Sequence, residues 1–152
     1  MRLPTLALLL AVVPAAPALA QGGQPPHAWL FGTWTGGLFP APEHLSAEAC
    51  LGEPVVIFTR DLVLRATLTE QTLTQRVIET ANVSPQGVEF RFAPGGVVAS
   101  NGMGLGLPNP GATIGFGCED VNVLHVKRRG PNEISFPGCT DFPNPLVRCP
   151  AR

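Results

Sequence analysis

Short runs of β-forming residues, each cut off by glycine or proline, limit what this chain can fold into. Trp29–Gly37, Val55–Thr59, Leu62–Leu68, Leu73–Thr80, Val88–Phe92, Thr113–Cys118, Val121–Arg128 and Glu133–Pro137 follow one another with turn residues between them. None has the length or the 3.6-residue apolar spacing of a stable helix, and several are rich in Val, Ile, Phe and Thr. Seventeen Pro and seventeen Gly in 152 residues supply the breaks. Only Ala41–Ala49, after the first run, has the composition for one or two helical turns. The chain therefore reads as all-β: a small antiparallel barrel of about eight strands, or a sandwich, with one short helical turn after the first strand.

The first twenty residues read as a targeting segment. Arg2 gives a positive start, Leu6–Val13 is continuously apolar, and Ala18-Leu19-Ala20 offers small residues for cleavage. The run is shorter than the ~20 apolar residues needed to cross a bilayer, and no other stretch approaches that length. The expectation is a signal peptide over 1–20, a lead-in over 21–28 and one β domain over 29–152 with an irregular loop at 94–111. The protein is then periplasmic or secreted, without a membrane span, and a monomer.

Charge excludes one class of partner. Without Arg2, nine Lys/Arg face eleven Asp/Glu, a net charge near −2, and nucleic-acid binders carry a basic face instead. Lys127-Arg128-Arg129 is the sole dense basic cluster, and it falls where a hairpin tip is expected. Cys50, Cys118, Cys139 and Cys149 form an even set in an exported chain and lack the close pairs of a zinc site, so they read as two disulfides rather than metal ligands. Three connectivities are open. Proximity in sequence favours Cys139–Cys149 as a staple of the C-terminal loop, with Cys50–Cys118 as the long-range tie.

No catalytic constellation stands out. There is no G-x-S-x-G around any serine and no H-E-x-x-H around any histidine, so an enzyme with a fold-assembled site ranks third among the readings. Gly102-Met103-Gly104-Leu105-Gly106 lacks the following helix of a phosphate loop, since Pro108 and Pro110 come next. Ahead of it stands a binding module whose apolar strand faces enclose an apolar or amphipathic small molecule. Its candidate lining is Trp34, Phe58, Phe90, Phe92, His125 and Phe136. The second reading is an interaction or inhibitor protein that meets an envelope partner through the arm at 21–27 or the loop at 94–111. His125 joins the candidate lining only if the 128–133 hairpin sets Arg128 opposite Glu133, which places it opposite Phe136 on the face shared by Val121, Val123 and Ile134.

Gly32-Thr33-Trp34 in the opening strand resembles the G-x-W signature of lipocalins and their calycin relatives. The resemblance implies a closed barrel in which the glycine lets the strand bend and the Trp plugs one end. Trp29-Leu30-Phe31-Gly32-Thr33-Trp34-Thr35-Gly36 is also similar to the opening of nitrobindin-like barrels. That similarity implies haem held by a histidine near the C-terminus, a position only His125 matches. No cofactor is expected from the residues themselves.

Overall fold

The computed structural model describes residues 23–52, 54–66, 73–94 and 115–151. Within them eight strands close into one antiparallel barrel in sequence order: β1 (Gly32–Gly36), β2 (Val55–Phe58), β3 (Leu62–Arg65), β4 (Thr74–Ser84), β5 (Gly87–Phe92), β6 (Val123–Arg128), β7 (Glu133–Ser135) and β8 (Leu146–Arg148). Each strand pairs with its neighbours in the chain, and β8 pairs back onto β1 through Trp34↔Arg148 and Gly36↔Leu146. Closure gives every strand a neighbour on each side, so the sheet has no terminal strand.

The core follows from strict alternation. Val56 and Phe58 of β2 face inward, as do Val88, Phe90 and Phe92 of β5, the face expected from sequence. The one α-helix among the described residues, α1 (Ala47–Gly52), begins later than the expected turns at 41–49 because Ser46 caps it, its Oγ accepting from the Ala49 N–H at 3.0 Å. A 3-10 turn at Ala28–Leu30 precedes β1, so the first strand starts at Gly32 rather than at Trp29. The end of the lead-in is folded too, with His27 buried and its Nε2 3.1 Å from the Arg60 carbonyl oxygen.

Other boundaries moved for identifiable reasons. β4 runs on past the expected end at Thr80 through Asn82–Ser84 because those residues pair with Gly87–Glu89, which leaves Pro85-Gln86 as the turn. Gly87 is required there, since a Cβ would collide with the Val126 carbonyl oxygen of β6. Gly115–Cys118 is irregular instead of a strand, although Phe116 enters the core. Its companions Thr113 and Ile114, like most of the loop at 94–111, lie outside the described residues. The C-terminal stretch beyond Pro137, outside every expected run, supplies β8, three residues between Pro145 and Pro150 that close the barrel.

The register of β6 and β7 differs by one residue from the expected one. Arg128 pairs with Ile134, not with Glu133, because the Glu133 carbonyl accepts from both Arg129 and Gly130 and lengthens the turn. Leu124 and Val126 therefore face inward with Ile134, all three buried, and His125 is turned to solvent. Burying Leu124 and Val126 keeps the polar imidazole of His125 out of the core, which is the favourable choice.

Both disulfides form, with a connectivity other than the one favoured by sequence proximity. Cys50 bonds Cys149 across 99 residues, and Cys118 bonds Cys139 across 21. Cys149 cannot reach back to Cys139 because its backbone N–H is held by the Thr33 carbonyl as the chain runs along β1. Chain-entropy arithmetic gives about 4–5 kcal/mol for the long link and about 3 kcal/mol for the short one. Peptide mapping without reductant is expected to recover the 50–149 and 118–139 links. Urea unfolding should show Cys50→Ser/Cys149→Ser losing about 1 kcal/mol more than Cys118→Ser/Cys139→Ser.

Candidate functional site

The two arginines at the ends of β6 and β8 fix one end of the barrel. Trp34 is fully buried, and its indole Nε1 donates to the Leu30 carbonyl at 2.8 Å, which ties the 3-10 turn beneath β1. The Arg148 guanidinium lies 4.3 Å from the Trp34 ring centroid. It also donates to the Phe31 carbonyl at 2.6 Å and to the Trp29 carbonyl. Arg128 covers the Trp29 ring at 4.9 Å. Burial and the neighbouring Arg128 both hold Arg148 below the ordinary arginine range, burial the more strongly. Gly32, at φ +118°, makes the bend that turns the chain from the 3-10 turn into the sheet.

Aromatic rings fill the barrel interior. Phe58 stacks on Phe90 at 5.7 Å, Phe90 on Phe92 at 6.4 Å, and Phe92 on Phe116 at 5.8 Å. Phe136 meets Phe58 at 6.3 Å, Phe116 at 5.9 Å and Phe142 at 5.1 Å. These are the distances of rings in mutual contact, and they leave a packed centre. At the end away from the indoles, Arg76 is buried with its guanidinium over Phe92 at 4.9 Å. It is held by the Val121 carbonyl at 3.0 Å and the Asn122 side chain at 2.7 Å. Burial lowers the Arg76 pKa, and the nearby Asp120 carboxylate counters part of that. Arg65 pairs with Asp141 at 2.7 Å over Phe142.

The sequence candidates thus divide. Trp34, Phe58, Phe90, Phe92 and Phe136 all meet in one core, but they pack on one another or on other buried side chains. His125 stands outside it, its Nδ1 3.8 Å from the Glu89 carboxylate on the exposed wall. Haem held within the barrel by this residue does not fit the geometry. The His125–Glu89 pair has no serine or cysteine hydrogen-bonded to it among the described residues, and all four cysteines are in disulfides.

A concave surface does exist on the outer wall. Between α1, the outward faces of β1 and β2, and the last residues of the chain lies a groove of about 530 Å³. Phe31, Ala47, Val55, Ile57, Ala66 and Pro150 make it apolar, with Thr33 and Arg148 as the polar groups. The Cys50–Cys149 bond clamps α1 to the C-terminal segment, and both cysteines line the groove. Sequence reasoning missed it because its walls come from five separate segments. The alternation in β2 does hold its signal, because Val55 and Ile57 face out and are still only half-buried.

Compared with protein-family models, curated proteins and solved structures, the chain matches none. The contacts of Arg148 with Trp34, Phe31 and Trp29 therefore carry the structural case. Arg148→Met is expected to cost about 2–4 kcal/mol through loss of the stacked cation and two charged hydrogen bonds, leaving two carbonyls unpaired. Arg148→Lys should recover less than half of that, because an ammonium cannot serve both carbonyls while lying flat on the indole. Urea unfolding followed by tryptophan fluorescence measures both.

Proposed function

We propose that the protein is an exported binding module that holds an apolar or amphipathic small molecule in the groove beneath α1. The observation that carries this reading is the groove itself. Its volume of about 530 Å³ lies within the ~300–1,000 Å³ typical of small-molecule sites, and its lining combines apolar walls with few polar groups. The ring-filled interior directs the ligand to this outer surface rather than to the barrel centre. The Cys50–Cys149 clamp holds the two sides of the groove in place, which reduces the ordering cost of binding. Two disulfides are in keeping with an oxidising compartment outside the cytosol.

A calycin-like kinship accords with this reading. Trp34 plugs one end of a closed eight-stranded barrel, and Gly32 supplies the bend that precedes it. Within this proposal the module has kept the barrel as a rigid support and moved its binding surface to the wall. Ligand chemistry follows from the lining: a flat or chain-like apolar body against Ile57 and Phe31, with a polar end towards Thr33.

Titration with the neutral dye N-phenyl-1-naphthylamine tests the groove directly. Wild-type protein is expected to enhance its fluorescence with micromolar affinity. Ala47→Trp, which fills the groove from α1, should weaken binding ~10-fold or more, given the apolar area it displaces. Phe90→Leu, in the interior, should leave dye affinity unchanged while lowering the melting temperature. Dye binding that is absent, or indifferent to Ala47→Trp in a folded variant, overturns the reading.

A further inference from the structure

The basic cluster at 127–129 gains neighbours in the fold that it lacks in the sequence. Strands of an up-and-down barrel alternate in direction, so the turns after β2, β4 and β6 share one end with the start of β1 and the finish of β8. Arg60 sits in the first of these turns, Lys127, Arg128 and Arg129 at the third, and Arg148 at the end of β8. The His27–Arg60 contact, the Arg128–Trp29 stack and the bond from the Arg148 N–H to the Asn132 carbonyl tie these segments together. Five cations thus meet two turn carboxylates, Asp61 and Glu133. Among the described residues none of the five forms an ion pair, whereas Arg65 and Arg91 elsewhere do. Arg60, Lys127, Arg128 and Arg129 are exposed. A chain that is slightly acidic as a whole has therefore gathered unneutralised positive charge at one end.

We infer that this end is a docking face for a bilayer bearing anionic headgroups. Two features favour a lipid surface over an acidic protein segment. The turns here are short, Pro85-Gln86 among them, so the cations are spread across the barrel end and not gathered along a groove that would grip a chain. The half-buried Trp29 lies at the same rim beneath Arg128, and indoles are favoured at the level of lipid headgroups. Each exposed cation near an anionic membrane strengthens binding roughly five-fold, and the attraction fades within a Debye length. The groove and the basic end share only Arg148, which the test variants leave intact, so the two proposals can fail separately.

Co-sedimentation with vesicles tests it, using phosphatidylcholine alone and phosphatidylcholine with 40 mol % phosphatidylglycerol in ~50 mM salt, an ionic strength that leaves surface charge weakly screened. Binding is expected only to the anionic vesicles, falling ~10-fold or more in 300 mM salt. The variant Arg60→Glu/Lys127→Glu/Arg129→Glu spares the arginines that stack on the indoles. It should bind roughly a hundred-fold more weakly with an unchanged melting temperature. Should that variant fail to fold, the milder Lys127→Gln/Arg129→Gln pair is expected to lose roughly twenty-fold. Failure to bind anionic vesicles, equal binding by a folded variant, or competition by free inorganic phosphate at the vesicle's own phosphate concentration would overturn the inference.

Discussion

Closure of the barrel depends on Arg148. Its strand is three residues long, its backbone completes the ring between β7 and β1, and its guanidinium lies on the buried indole of Trp34. So short a strand adds few ladder bonds of its own. The side chain compensates by binding the Phe31 and Trp29 carbonyls, which fastens the 3-10 turn under the barrel end. Trp34 completes the loop of contacts by donating to Leu30. Bend, plug and closing strand form one cooperative unit, and the Cys50–Cys149 bond secures it from outside.

That arrangement separates stability from function. The interior is occupied by rings in contact and by two arginines laid over their faces. Burying Arg76 is costly unless its donors are met, and Val121 and Asn122 meet two of them while Phe92 receives the cation. The outer surface is different. There α1 stands off the β1–β2 wall, leaving apolar residues only partly covered. The basic end offers a second surface of different chemistry.

Much of the fold was legible in the residues, and the reasons are local. Alternation in Val88–Phe92 gave the inward face of β5, and the dense run at Val55–Thr59 gave β2, because a strand's side-chain period is fixed by its own backbone. The boundaries of β4 and the existence of β8 were not legible, since both depend on a partner strand elsewhere in the chain. His125 shows how narrow the margin is. A turn lengthened by one residue at 129–133 reversed its side of the sheet.

Sequence by itself determined that this chain would be a short-stranded all-β domain, that its cysteines would pair with one another, and that Trp34 would be central to it. Those properties follow from residue type and nearest neighbours, which every unfolded copy of the chain already carries. Tertiary structure alone decided which cysteine met which, that the phenylalanines would pack against one another, and that Arg60 and Arg148 would join Lys127, Arg128 and Arg129 at one end. Each of those outcomes sets residues distant in sequence side by side, and only the register and closure of the barrel fix such distances.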